Sequence, residues 1–144
     1  MKVSEVMTRD VRVANPDETI QQAARLMASL DAGILPVGEK DRLVGMITDR
    51  DIAIRGIAEG KGPDAKVREV MTEDVKYCFD DQDVEEVTRN MGDIQVRRLP
   101  VVDRDKRLVG ILSLGDVATT QEGIATAEAL NKISRPGGEH TQTG

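Results

Sequence analysis

Two short patterns place a hydroxyl three residues ahead of a carboxylate: Thr48-x-x-Asp51 in TDRD and Ser113-x-x-Asp116 in SLGD. Each follows an apolar run and precedes residues at helical spacing, so each should stand where a strand hands over to a helix. A carboxylate there can accept hydrogen bonds from both hydroxyls of a ribose, and its charge makes those bonds stronger than neutral ones. The neighbouring hydroxyl and the free N–H groups of the new helix face phosphate oxygens. The pair also has a local use, with Thr or Ser capping the helix and Asp in its first turn; the two uses can coexist. A further pattern, Arg97–Arg98 ahead of Leu99–Pro100, supplies guanidinium forks that suit phosphate. Strand alternation puts the two arginines on opposite faces, so one of them would enter a cleft. Pairing with surface carboxylates is their alternative use.

Other chemistry is thin. DDQD (80–83) resembles a carboxylate set for a hard cation, but acidic residues at a helix start are explained by the helix dipole. Cys78 has no His or second Cys nearby in sequence, and His140 sits in a polar tail. No nucleophile–base pair, metal signature or catalytic carboxylate pair stands out, so a non-enzymatic role is expected, with no catalytic residue and no metal site. A net charge of −6 argues against nucleic acid as a partner, which needs a basic footprint. A lone cysteine fits a reducing compartment. No apolar run reaches the ~20 residues of a membrane span and the N-terminus lacks the apolar core of a signal peptide, so the expectation is a cytoplasmic chain that engages no membrane.

The elements that must position these residues come twice. KVSEVMTRDV (2–11) returns as KVREVMTEDV (66–75), with eight of ten residues identical at an offset of 64. Residues 18–37 lie over 82–101 at the same offset, and RLVGMITDRDIA (42–53) over RLVGILSLGDVA (107–118) at 65. The inserted residue falls in a polar turn, where insertions are tolerated. Each copy reads as strand, helix, strand, strand, helix. VRVA (11–14) is the first strand; Asn15, Pro16 and Glu18 form a helix start with a capping box. Ile20, Ala23, Met27 and Leu30 follow at helical spacing, ending near Asp31–Gly33. GILPVG and RLVGMIT form a hairpin, and DRDIAIRGIA is a helix stopped by Gly60. In the second copy a strand around VKYC precedes a helix from Asp80 or Asp81 to Asp93, the hairpin RRLPVV/RLVGILS, and a helix beginning near Leu114. The fold class is therefore α+β, with unit boundaries at 1–62 and 63–119. In 120–144 a short helix with Ile124, Ala127, Leu130 and Ile133 on one face precedes a disordered tail. With no Trp, one Tyr and one Phe, the core is aliphatic. A unit of ~60 residues is marginal alone, so the two should pack about a pseudo-twofold axis.

The VMT opening, the LPV strand, and RLVG running into Ser/Thr-x-x-Asp, all in tandem over residues 1–119, resemble the CBS domain family, whose paired units form a Bateman module. What the resemblance implies is a β-α-β-β-α unit used twice and two clefts, one or both taking AMP, ADP, ATP, NAD or S-adenosylmethionine, with no obligatory cofactor. It also implies a disc-like homodimer and a sensor whose output travels through an unknown protein partner. Carried over, one cleft takes Thr8, Val11, Val13, Ala32, Gly33 and Ile34 with Ser113 and Asp116 from the other repeat. The second takes Thr72, Val75, Tyr77, Val96, Arg97 and Arg98 with Thr48 and Asp51, Arg50 adding charge and Tyr77 offering a stacking ring. Gly33 and Ile34 stand where the second copy has Arg97 and Arg98, and Gly115 where the first has Arg50. A phosphorylated ligand therefore fits the arginine cleft better. The same asymmetry motivates the alternative, a ligand-free dimeric scaffold with vestigial clefts.

Overall fold

The computed structural model describes residues 1–119 and 123–134. The expected disordered tail lies outside the described residues. Two compact units result among the described residues: Arg12–Val75 (the first unit), and Met1–Val11 with the described residues from Lys76 onward (the second unit). Their limits differ from the sequence repeats because each opening motif packs in the unit built mainly by the other repeat.

In the first unit, α1 (Ile20–Leu30) precedes an antiparallel hairpin of β1 (Ile34–Glu39) and β2 (Arg42–Thr48). Ile20, Ala23 and Met27 at i, i+3 and i+7 bury one stripe of α1 against Leu35, Val37 and Ile47, as the spacing predicts. Thr19, not Asn15, caps the helix. Its hydroxyl accepts from Gln22 N at 3.1 Å while Gln22 Oε1 accepts from Thr19 N at 2.9 Å. The Asn15–Glu18 box exists, with Asn15 N donating to Glu18 Oε1 at 2.9 Å, but it closes a turn. The expected helix over DRDIAIRGIA is a wide i→i+5 turn at Asp51–Gly56 followed by a 3-10 turn at Ile57–Glu59. Gly60 stops it at φ 83°, as expected.

The second unit repeats the plan. β3 (Cys78–Phe79) runs parallel to β4 (Arg98–Val102), which pairs antiparallel with β5 (Leu108–Ser113). α2 (Val84–Asp93) is capped by Asp83, not by Asp80 or Asp81, and buries Val84, Val87 and Met91. α3 (Leu114–Ala118) follows β5 directly, and α4 (Gly123–Ile133) packs on α2 through Ala129 and Ile133. The expected apolar face of α4 is displaced: Leu130 is 40% exposed and Ala127 is exposed too. The expected strand at 11–14 reduces to one parallel bridge, Ala14 to Val37, and the strand around VKYC to the two residues of β3.

The repeated decapeptides make the same turn in both units. Val3–Glu5 and Val67–Glu69 are 3-10 turns, latched by Glu5 and Glu69, which accept from Lys2 N and Lys66 N at 2.7 Å. The Lys66 N–H holds the Glu69 carboxyl below its ordinary range. Val3 and Met7 enter the core beside Leu112, while Val67, Val70 and Met71 enter that beside Ile47. Thr8 then pairs with Ile111 in both directions at 2.9 Å, and Thr72 with Met46 at 2.8 and 2.9 Å. The glycine of each RLVG makes room. A Cβ on Gly110 would stand 2.6 Å from Met7 Sδ, and one on Gly45 2.8 Å from Thr72 O. VMT of each copy is thus the complement of RLVG of the other.

Candidate functional site

Both hydroxyl–carboxylate pairs sit at the expected strand-to-helix junction, and both close a reciprocal cap. Thr48 Oγ1 accepts from Asp51 N at 3.0 Å, and Asp51 Oδ2 from Thr48 N at 3.0 Å. Ser113 Oγ accepts from Asp116 N at 3.1 Å, and Asp116 Oδ2 from Ser113 N at 3.3 Å. Each carboxylate has its Oδ1 left over. In the first unit, Asp51 Oδ1 lies 3.9 Å from Arg55 Nη1, which also donates to Met71 O at 3.1 Å. In the second unit, Asp116 Oδ2 takes a further, long bond from Thr8 Oγ1 at 3.4 Å. Among the described residues nothing pairs with Asp116 Oδ1.

Strand register adds the arginines. Arg98 stands opposite Ser113 across β4–β5, so the two side chains share a sheet face. Arg97 O accepts from Leu114 N at 3.0 Å. Both arginines are exposed, and among the described residues neither guanidinium has an ion-pair or hydrogen-bond partner. Among the described residues, then, no surface carboxylate pairs with either arginine. Thr8, Arg98, Ser113 and Asp116 thus gather at one end of β4–β5, where a carboxylate, two hydroxyls hydrogen-bonded to its residue and a cation coincide. The matching end of β1–β2 holds Ile34 opposite Thr48, with Gly33 O accepting from Asp49 N at 2.9 Å. That end has the hydroxyl and the carboxylate, but Gly33 and Ile34 bring no charge to it.

The remaining expected residues are scattered. Val96 is fully buried in the core of the second unit, so its side chain does not face a ligand. Ile34 is 4% exposed. Ala32 and Gly33 line a groove with Asp31, Asp49 and Ile52. Val13 is exposed beside Gly38, Arg50 is exposed, and Val11, Thr72 and Val75 are half-buried. Tyr77 meets Phe79 edge-on at 5.7 Å, and Arg104 covers the Phe79 ring at 4.1 Å. Tyr77 also lines a groove of about 710 Å³ along α2 whose walls carry Asp83, Glu85, Glu86 and Asp93. Arg89 lines the same groove and pairs with Glu85. Arg55 was not among the residues expected at a site; its i+4 spacing from Asp51 was the available signal. Among the described residues no three His, Cys, Asp or Glu side chains gather to hold a metal, and no helix is long and apolar enough to cross a membrane.

The CBS domain model matches residues 3–55 and 67–123. The chain is 41% identical over 133 residues to the CBS domain-containing protein YhcV of Bacillus subtilis, covering 92% of this chain and 94% of that one. Among solved structures it is similar to Hypoxic Response Protein I, crystallised with two coordinated zinc ions, at TM-score 0.74 and 38% identity, covering 82% of this chain and 97% of that one. It is also similar to the CBS domain pair of protein MJ0100 in complex with 5′-methylthioadenosine and S-adenosyl-L-methionine. There the TM-score is 0.70 and the identity 28%, with 82% of this chain and 93% of that one covered.

Proposed function

This chain belongs to the CBS domain family as a tandem pair, and from that premise we propose that it is a non-enzymatic regulatory module that binds an adenosine-containing ligand. The carrying observation is the cluster in the second unit, where Asp116 keeps an unshared carboxylate oxygen and Arg98 stands opposite Ser113 without a partner among the described residues. A ribose diol suits the carboxylate, and a phosphate suits the guanidinium. AMP, ADP or ATP therefore fits this end best, while the end at Gly33 and Ile34, which has no counterpart of Arg97 and Arg98, suits an adenosine with less phosphate charge such as S-adenosylmethionine, or stays empty. The two adenosine compounds bound to the MJ0100 domain pair support the ligand class. The module works as a cytoplasmic homodimer, and ligand occupancy reaches a partner protein through a shift between two states with unequal ligand affinity.

The second reading, a ligand-free dimeric scaffold, is favoured by one observation: Gly115 stands in α3 where the first unit has Arg50. A thermal-shift panel on nucleotide-stripped protein separates the two, using AMP, ADP, ATP, NAD, NADH and S-adenosylmethionine. A ligand present at about 100 times its Kd stabilises the fold by about 2.7 kcal/mol. A shift that disappears in the double variant Asp116→Ala/Arg98→Ala supports the sensor. No shift with any of the six supports the scaffold.

A further inference from the structure

Just ahead of the arginines of the second unit, the backbone turns through a strained residue. α2 closes with Val96 N donating to Met91 O at 3.0 Å and Gln95 N to Gly92 O at 3.2 Å, and Gln95 takes the left-handed region at φ 59°. Glycine holds that place without cost and a glutamine does not, so the use of its side chain matters. Gln95 is 8% exposed, and its Nε2 donates to Lys132 O at 2.8 Å, in the last turn of α4. Lys132 also pairs with Asp93, and a Cβ on Gly92 would stand 2.7 Å from Ala129 Cα. The end of α2 is thus fastened to α4. The same helix backs the other side of the site: Ala129 and Ile133 share a core with Leu114 and Val117 of α3, the helix that carries Asp116.

We infer that Gln95 is a positioning residue for the phosphate of the ligand. By fastening the turn ahead of β4 to α4, it fixes the guanidinium of Arg98 relative to the carboxylate of Asp116. The run from Gln95 to Arg98 is held at every residue: Gln95 by Lys132 O, Val96 by the core, Arg97 by Leu114 N, and Arg98 by its register with Ser113. A guanidinium on so ordered a strand end loses less freedom on binding than one on a loose turn. In the first unit Asp31 holds the equivalent left-handed place, at φ 51°, but among the described residues its carboxylate has no partner. Gly33 and Ile34 follow it where the second unit has Arg97 and Arg98. The anchor therefore occurs in the unit that has a guanidinium to place. Gln95 acts through Arg98, so the ribose end, held by the Ser113 cap, is indifferent to it.

The inference rests on the adenosine reading of this site, and its test keeps the two apart. AMP and adenosine, which differ by the phosphate alone, are titrated calorimetrically against the full chain. The variants are Gln95→Gly, Gln95→Glu, Arg98→Ala and the double variant Arg98→Ala/Gln95→Gly. Gln95→Gly suits the positive φ and removes the anchor; Gln95→Glu keeps the size and removes the donor. Circular dichroism on the same samples verifies the fold. In both Gln95 variants AMP affinity should fall about fivefold or more while adenosine affinity holds within about twofold. Gln95→Gly should add little to the loss in Arg98→Ala, since residues that act through one contact are not additive. A general loosening would weaken both compounds together. Unchanged AMP affinity in both Gln95 variants, equal losses for AMP and adenosine, or additive losses in the double variant overturns the inference. Any of these, with parent AMP binding that disappears in Asp116→Ala, leaves the ligand reading standing. A parent chain that binds neither compound overturns both.

Discussion

Thr8 Oγ1 donates to Asp116 Oδ2 at 3.4 Å across 108 residues of sequence, joining the opening motif of the first repeat to the helix start of the second. The bond is long and exposed, so its structural worth is small. Its position matters more, because it orients the carboxylate whose other oxygen is open. Thr8→Val should therefore leave the melting temperature nearly unchanged and weaken nucleotide binding several-fold. Asp116→Ala removes the carboxylate proposed to take the ribose diol and half of the Ser113 cap, and should cost about 1 kcal/mol of stability and tenfold or more in affinity, about 1.4 kcal/mol. Calorimetric titration beside urea denaturation checks both. Nucleotide affinity unchanged in Asp116→Ala would remove this carboxylate from the site.

Two glycines of the second unit should respond in opposite directions. Gly110 lies under Met7 and Thr8, with Met7 Sδ 2.6 Å and Thr8 O 2.8 Å from any added Cβ. The backbone oxygen cannot swing away as a side chain can, so Gly110→Val should destabilise by about 1–3 kcal/mol and loosen the opening motif. Gly115 in α3 has only Ser113 Oγ nearby, at 3.6 Å from an added Cβ. Gly115→Ala should stabilise by roughly 0.5–1 kcal/mol through helix propensity. Denaturant midpoints of the two variants against the parent decide it, and a neutral Gly110→Val would mean that the VMT–RLVG contact carries little.

The hairpins and the apolar stripes of the two long repeat helices were legible because alternation and i, i+3, i+4 spacing are local. The start of α1 was not. Asn15–Glu18 and Thr19–Gln22 are overlapping caps of similar quality, and the choice is made elsewhere: Ile20 N donates to Ala65 O and Val67 N to Glu18 O, both at 2.8 Å. Those bonds tie the Pro16–Glu18 backbone to the segment before Val67 and keep it out of the helix. The i→i+5 widening at Asp51–Gly56 left no mark either. It accompanies Gly56 facing Ile20, whose Cδ1 lies 3.2 Å from where a Cβ on Gly56 would stand. At the site, Thr48, Asp51, Ser113 and Asp116 were found by pattern. That the Val96 side chain would turn into the core was not legible, because nothing local tells a core-facing residue ahead of β4 from a cleft-facing one. Which RLVG each VMT would meet was hidden by the repetition itself, since the two copies offer the same partners.

Acid should weaken the protein through two exposed ion pairs. Hydrogen bonds from Arg104 hold the Asp81 carboxyl below its ordinary range, and those from Arg68 do the same for Asp17. A carboxylate with a depressed folded pKa stabilises above its unfolded value, near pH 3.9, and loses that contribution as pH falls through the folded value. Asp81→Asn should therefore be the less stable form at neutral pH, with the gap narrowing below about pH 4 and closing in stronger acid. Both pairs are exposed and screened, so the gap should also shrink in high salt. Urea unfolding from pH 7 to pH 2 follows it; a gap that persists at pH 2 would assign the loss to packing of Arg104 on Phe79 rather than to charge.

Base should act through Cys78, which is 3% exposed beneath α2. Burial, aided by the nearby negative charge of Asp80, pushes its thiol up to about 12 from an ordinary value of 9.0. The folded state keeps the thiol proton over that interval while the unfolded chain releases it, so stability falls as pH rises from about 9 towards 12. For one group the slope approaches about 1.4 kcal/mol per pH unit. Other groups titrate there too, so the difference between the parent and Cys78→Ala isolates the thiol: the parent should lose its advantage as pH rises, while the variant lacks that decline. In the folded protein the thiol should resist iodoacetamide at pH 8.5 and react once urea unfolds the second unit. Rapid alkylation without unfolding would place the sulfur at the surface and remove the expected alkaline decline with it.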